Sequence, residues 1–230
     1  MEHRFVRTEL VLGAENLRKL QQAAVAVIGL GGVGGYTAEA LARSGVGKLI
    51  LIDHDTVTIS NLNRQIVALE STLGRPKAEV MAERIAQINP ECQVTAHQAY
   101  YCRESHAALL PEALDYVADA IDSVRAKVDL IEACVQNGIP IVSSMGAGNK
   151  LDPSRLRIAD ISQTHTCALA RAVRGALRKR GIATGVTVVF SDERAVGRKE
   201  GSTPGSTAFV PGASGLLMAS WIVRQICGEV

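Results

Sequence analysis

The sequence predicts an α/β fold: a doubly wound, mainly parallel sheet with a mixed or antiparallel extension on its C-terminal side. Three observations carry that expectation. Apolar runs of strand length alternate with helical patterns through residues 1–145. The glycine-rich turn Gly29-Leu30-Gly31-Gly32-Val33-Gly34 links the first apolar run to the first long helical pattern. Beyond residue 145 the pattern changes to strand-like runs around one amphipathic helix.

Taken in order, strand-like runs fall at Ala24–Ile28, Lys48–Ile52, Gln93–Ala96, Tyr116–Ile121 and Ile139–Ser143. Helical patterns lie between them at Tyr36–Ser44, Lys77–Ile88 and Arg125–Asn137. Asn89-Pro90 ends the second helix and Asn137-Gly138 the third, because proline restricts the residue before it and glycine suits a left-handed stop. Further strands are expected at Leu156–Ala159 and Thr184–Phe190, flanking a helix from about Cys167 to Arg180. The polar segment Ser191–Thr207 holds Gly197, Gly201, Pro204 and Gly205 and reads as a mobile loop. The apolar run Ala208–Cys227 is broken by Pro211, Gly212, Gly215 and Arg224, which favours a buried C-terminal helix over a membrane span.

Composition excludes several classes. With 47% hydrophobic and 21% charged residues, the chain reads as an ordinary globular protein, and no Pro/Gly/Ser-rich linker divides its 230 residues. A net charge of +2 is too small to argue for nucleic acid by itself. Cys92, Cys102, Cys134, Cys167 and Cys227 are widely spaced and contain no CxxC pair, which argues against a disulfide framework and a four-cysteine zinc site. His3, His54, His97, His106 and His165 lack ligand spacing. The amino terminus has no apolar core of signal type, so a cytoplasmic location is expected.

The glycine turn carries the first chemical signal. Its residues Gly29, Gly31, Gly32 and Gly34 let a phosphate approach the backbone, and the following helix offers free N–H donors. Asp53, ending the next strand, is placed to hold a ribose hydroxyl. These features suit a dinucleotide as well as ATP. Taken singly, Lys77 reads as a surface lysine and Asp122 as a helix N-cap before Ser123. The block Asn61–Gln65, with Lys77 at a helix start, has no use in a dehydrogenase.

The ordered set is more specific. Arg4-Phe5-x-Arg7, the glycine turn, Asp53-x-Asp55, Ser60-Asn61-Leu62-Asn63-Arg64-Gln65, Pro76-Lys77, Ile88-Asn89-Pro90 and Asp119-x-x-Asp122 together resemble the ubiquitin-activating-enzyme-like adenylating family. That family includes the activators of the sulfur carriers for thiamine and molybdopterin synthesis. The resemblance implies a Rossmann-like fold, ATP and Mg²⁺ as cofactors, and a single adenylating domain over 1–230. Residues 1–145 would bind the nucleotide; 146–230 would bind substrate and support a homodimer. It assigns Arg64 and Lys77 to the phosphates, Asn61 and Gln65 to orienting contacts, Asp53 to the ribose and Asp122 to the metal. Asp55 is a second candidate near the metal. It also implies that Arg7 reaches across the homodimer to the γ-phosphate of the neighbouring site, in the manner of an arginine finger.

Residues Ala78–Ile85, Asp119–Arg125, Leu151-Asp152-Pro153, Val188–Glu193 and Gly205–Pro211 are similar to a branch of that family which activates and cyclises a threonine-bearing nucleoside of tRNA. The rival within the family is an activator of a ubiquitin-like sulfur carrier, commonly holding zinc with two CxxC pairs; neither pair occurs here, so no structural zinc is expected. A rival of another class is a non-catalytic nucleotide-binding module. A sulfur-transfer protein is a further partner the resemblance admits. Cys167, in Thr164-His165-Thr166-Cys167-Ala168, is a thioester candidate, but a small half-buried cysteine is the favoured reading. Arg171, Arg174, Arg178, Lys179 and Arg180 lie in one acid-free helical stretch opposite Leu169, Val173 and Leu177. With Arg194, Arg198 and Lys199 they could meet tRNA phosphates, against the alternative of a solvated helix face. Aromatic residues make up only 3% of the chain, so base stacking is not expected to be the main grip.

Overall fold

The computed structural model describes residues 3–111, 113–197 and 204–228. Its strands are β1 Ala24–Ile28, β2 Lys48–Ile52, β3 Gln93–His97, β4 Tyr116–Asp119, β5 Ile141–Ser144, β6 Leu156–Asp160 and β7 Thr187–Ser191. They form a seven-stranded sheet in the order β3-β2-β1-β4-β5-β7-β6. Every pairing is parallel except that of β6 with β7. The doubly wound core and its antiparallel extension are therefore both present.

The helices are α1 Val6–Leu12, α2 Ala14–Gln22, α3 Gly34–Ser44, α4 Lys77–Ile88, α5 His106–Leu109, α6 Val124–Gln136, α7 Ala168–Lys179 and α8 Phe209–Cys227. Strand ends differ from the sequence expectation for local reasons. β4 stops at Asp119 instead of Ile121, because the Asp119 carboxylate accepts the Ile121 N–H at 3.0 Å and turns the chain. β7 starts at Thr187 because Gly185 has φ +85° and the Asp160 carboxylate accepts the N–H groups of Gly185 and Val186. β5 begins after Pro140, which has no N–H to give a ladder. The helices α1, α2 and α5 have no counterpart among the helices expected from the sequence.

Side-chain alternation divides the core into two layers. Val25, Val27, Leu49 and Leu51 face one side, against Leu41 of α3, Met81 of α4 and Met218 and Ile222 of α8. Ala26, Ile28, Ile50 and Ile52 face the other, against Leu130 and Ile131 of α6 and Val173 and Leu177 of α7. Each large aliphatic side chain so buried contributes roughly 1.5–3 kcal/mol. The C-terminal apolar run is thus a core helix, and no helix among the described residues is long and apolar enough to cross a membrane.

Candidate nucleotide site

The strand order turns from β1 toward β2 on one side and toward β4 on the other, which opens a crevice beyond their carboxyl ends. A cavity of about 690 Å³ occupies it. Gly29, Gly31, Gly32, Asp53, Asp55, Asn61, Arg64, Gln65, Lys77 and Asp122 all line that cavity. Residues spread over nearly a hundred positions are thus gathered by one topological feature.

The turn after β1 needs glycine at both ends. Gly29 has φ +86°, and a Cβ there would lie 2.7 Å from the Ala120 carbonyl oxygen. A Cβ on Gly34 would lie 1.7 Å from the Gly29 oxygen, so Gly34 packs beneath the cavity and lets α3 start close to the turn. Asp53 is 7% exposed and fastens the same turn: its carboxylate accepts the Leu30 N–H at 2.6 Å and the Asp55 N–H at 2.8 Å. A carboxylate has about four lone-pair positions, which leaves Asp53 capacity for ribose hydroxyls.

Across the cavity, Asn61 is buried at the end of the short helix Ile59–Asn61, and Gln65 is buried in the turn that follows, its N–H donating to the Asn61 carbonyl at 2.9 Å. The Asn61 carboxamide accepts the Thr58 N–H at 3.2 Å. Gln65 Oε1 is buried without a hydrogen-bond partner. An orphaned buried acceptor costs roughly 1–3 kcal/mol, so this wall suits a polar ligand. Arg64 donates to the Ser60 carbonyl at 2.7 Å and to Asn63 at 2.9 Å, which steadies its guanidinium at the rim.

Lys77 opens α4 with its side chain only 5% exposed, and its Nζ lies 2.7 Å from Asp55 Oδ2. His54 Nε2 is 3.2 Å from the other Asp55 oxygen. Burial pushes the Asp55 carboxyl up, but the Lys77 hydrogen bond and charge, with His54, outweigh it and hold Asp55 below the usual carboxylate range. The side chains of Asp53, His54 and Asp55 converge, with ligand atoms within 4.8 Å of one another. Asp53 and Asp55 already serve the glycine turn and Lys77. The exposed Asp122 carboxylate makes no hydrogen bond or ion pair with another described residue, and Ser123, not Asp122, is the N-cap of α6. One open carboxylate beside the glycine turn fits Mg²⁺, which takes a carboxylate or two and completes its shell with phosphate oxygens and water.

The far end of the cavity is lined by the segment after β5, Met145 to Lys150, and by the start of α7. Cys167 is the α7 N-cap and is 5% exposed, more deeply buried than the sequence suggests. His165 hydrogen-bonds to Thr166 and meets Phe190 edge-on, so its ring serves those partners and not the thiol. The described parts of the loop 191–207 are fastened to Asn149. It accepts the Val196 and Gly205 N–H groups and donates its own N–H to the Gly205 carbonyl. Among residues not singled out from the sequence, Tyr100 lines the mouth of the cavity and meets His54 edge-on at 5.2 Å.

Other selected residues stand apart. Arg171 and Arg178 are exposed on α7, whereas Arg174 turns back to donate to the Thr164 carbonyl at 2.7 Å. Arg180 is paired with Asp129 and Glu132. Arg198 and Lys199 lie outside the described residues. On the N-terminal block, Arg4 bonds the Ile88 carbonyl and Phe5 is buried, which leaves Arg7 exposed on α1 and outside the lining of its own chain's cavity.

The ThiF family model matches residues 4–230. The chain is 47% identical to the tRNA threonylcarbamoyladenosine dehydratase of Bacillus subtilis, over 100% of this chain and 97% of that protein. It superposes on the crystal structure of the Escherichia coli tRNA N6-threonylcarbamoyladenosine dehydratase in complex with ATP at a TM-score of 0.92. That match has 39% identity and covers 98% of this chain and 94% of the other. The same scores describe the AMP complex of that enzyme. The sulfur carrier protein ThiS adenylyltransferase of Escherichia coli is 37% identical over 61% of this chain and 56% of that protein.

Proposed function

The chain belongs to the ThiF family, and on that premise we propose that it is an ATP-dependent tRNA threonylcarbamoyladenosine dehydratase. It adenylates the threonine carboxylate of the modified nucleoside and closes that nucleoside into a ring. The observation that carries the reading is the end-to-end match to a dehydratase crystallised with ATP, beside this chain's own gathering of the glycine turn, Asp53, Arg64, Lys77 and Asp122 in one cavity. The likeness to a sulfur-carrier activator spans only 61% of the chain, which favours the dehydratase.

The chemistry runs in two steps. A carboxylate oxygen of the threonine attacks the α-phosphorus of ATP, the α–β anhydride bond breaks, and pyrophosphate departs. The carbamoyl group of the same nucleoside then attacks the activated acyl carbon, loses a proton, and expels AMP. The net change is loss of one water from the nucleoside. Because both reacting groups belong to one molecule, proximity supplies up to about 7–11 kcal/mol, and no enzyme nucleophile is required.

Each residue then has a task. The glycine turn and the first amides of α3 cradle phosphate oxygens. Asp53 holds the ribose while keeping the turn closed. Arg64 and Lys77 stabilise the charge that moves onto pyrophosphate, and Asn61 and Gln65 orient the polyphosphate. Asp122 would hold Mg²⁺, which when bound neutralises phosphate oxygens. Exposed Arg7 serves the neighbouring site of a homodimer, and exposed Arg171 and Arg178 meet tRNA phosphates. The enzyme works in the cytoplasm, where its tRNA substrate is found. Pyrophosphate–ATP exchange tests the reading: it should require tRNA bearing the modified nucleoside. Exchange with a carrier protein ending in Gly-Gly, and none with tRNA, would reverse it.

A further inference from the structure

Outside the cavity lining, α6 carries a lysine with no access to solvent. The Lys127 and Asp119 side chains are both fully buried, with Nζ 2.8 Å from Asp119 Oδ2. Ser143 completes the group: it donates to Asp119 Oδ2 at 2.6 Å and accepts from Lys127 at 3.1 Å. The second Asp119 oxygen accepts the Ile121 N–H at 3.0 Å. Asp119 and Ser143 are register partners on β4 and β5, so the group ties both strand ends to the first turn of α6.

A buried ion pair is weak evidence for stability, because desolvating two charges offsets their attraction, and apolar groups of similar volume often do as well. What this one fixes is a direction. With Asp119 capping Ile121, the chain turns within Ala120-Ile121 and emerges at Asp122. Ala120 is held from its other side: its N–H donates to the Ile28 carbonyl at 2.8 Å, and its own carbonyl fills the space a Cβ on Gly29 would need. The exposed Asp122 has no partner of its own among the described residues, so its position depends on the turn that precedes it.

We propose, on the reading of Asp122 as the Mg²⁺ ligand, that Asp119, Lys127 and Ser143 form a buried positioning triad that sets the β4–α6 turn and holds Asp122 at the nucleotide. The triad touches neither substrate nor metal; it acts through Asp122. Its loss should therefore weaken the metal step selectively and leave metal-free ATP binding in place. Groups hydrogen-bonded to a metal's ligand typically change its affinity about 10–100-fold when removed, and the triad reaches Asp122 one link further, through the Ile121 amide, so the lower end of that range is expected.

The test is calorimetric titration of Mg²⁺ into the protein–ATP complex, beside titration of ATP in EDTA, for wild type, Asp122→Ala, Asp119→Leu/Lys127→Met and Ser143→Ala. The double variant removes both charges together, so neither is left buried alone. It should melt cooperatively and bind metal-free ATP within about 2-fold of wild type, while its Mg²⁺ dissociation constant rises at least about 10-fold, as in Asp122→Ala. Ser143→Ala should shift the same constant in the same direction by less, and it decides the matter if the double variant does not fold. Wild-type Mg²⁺ affinity in folded triad variants, with Asp122→Ala shifted, would overturn the triad. An unshifted Asp122→Ala would instead remove the reading of Asp122, and the triad's role with it.

Discussion

Lys77 Nζ lies 2.7 Å from Asp55 Oδ2, with the lysine side chain 5% exposed and the aspartate 51% exposed. The pair holds a cation at the wall of the cavity without leaving a buried charge unpaired. Lys77→Ala should cut turnover on the order of 10²–10³-fold, the effect of losing a donor aimed at charge developing in the transition state. Steady-state kinetics with saturating ATP check it, and unchanged turnover would take Lys77 out of the site.

The same pair has a titration signature. Asp55 is pushed up by burial and pulled below the usual carboxylate range by Lys77 and His54. Its pairing contributes stability that is complete above the ordinary carboxylate pKa, roughly 3.9, and is lost as pH falls through the lower folded value. In Lys77→Met the Asp55 carboxyl should titrate at higher pH than in wild type. Carbon-detected NMR of that carboxyl reads the change, and an unmoved titration would mean that Lys77 does not set it.

Glu39 offers a separate acid-stability test away from the chemistry. On α3 it accepts from Arg43 of its own helix and from Arg84 of α4, and the two arginines outweigh burial to lower its carboxyl pKa. Glu39→Ala should destabilise the fold by about 1–3 kcal/mol at neutral pH. It should also flatten the loss of stability as pH falls below the ordinary carboxylate range. Urea unfolding at several pH values checks both, and a variant with the wild-type acid limb would show that Glu39 does not contribute there.

On α7, Arg171→Gln/Arg178→Gln should weaken tRNA binding and reduce its salt dependence by on the order of one logarithmic unit per lost phosphate contact, with ATP binding unchanged. Arg174→Gln should behave differently, lowering thermal stability, because Arg174 holds the Thr164 carbonyl before the helix begins. An unaltered salt slope in the double variant would give that face another task.

Much of this arrangement is legible in the sequence, for physical reasons that can be named. Glycine at 29 and 34 answers to a positive φ and a backbone contact, and both leave a motif. The parallel character of the sheet follows from alternating strand and helix patterns, since parallel strands need crossover connections, whereas the strand order comes from the fold alone. The helix α2 is hard to recognise in the sequence although Leu17 and Leu20 supply its apolar stripe, because polar residues surround them. Lys127 was invisible as a functional residue because lysines usually face water. The available signal was its place in the apolar stripe of α6, with Leu130, Ile131 and Cys134. Arg174 could not be separated from Arg171 and Arg178 by composition, since only the fold shows which guanidinium meets a free carbonyl.

Arg7 invites a mixing experiment. It is exposed on α1 and stands outside its own chain's cavity wall, so the proposed sharing of sites places it at the cavity of a neighbouring protomer. An Arg7→Ala protomer combined with a Lys77→Ala protomer should recover activity, up to one competent site per heterodimer, where each homodimer has little. Verified heterodimers with no recovery would contradict sharing of the site.

The central claim is tested most directly by mass analysis of tRNA nucleosides after incubation with the protein and Mg-ATP. Threonylcarbamoyladenosine should lose the mass of one water, only with ATP present, and the loss should fail with the Lys77→Ala variant. Unchanged nucleoside mass from active, ATP-binding protein would contradict the dehydratase reading.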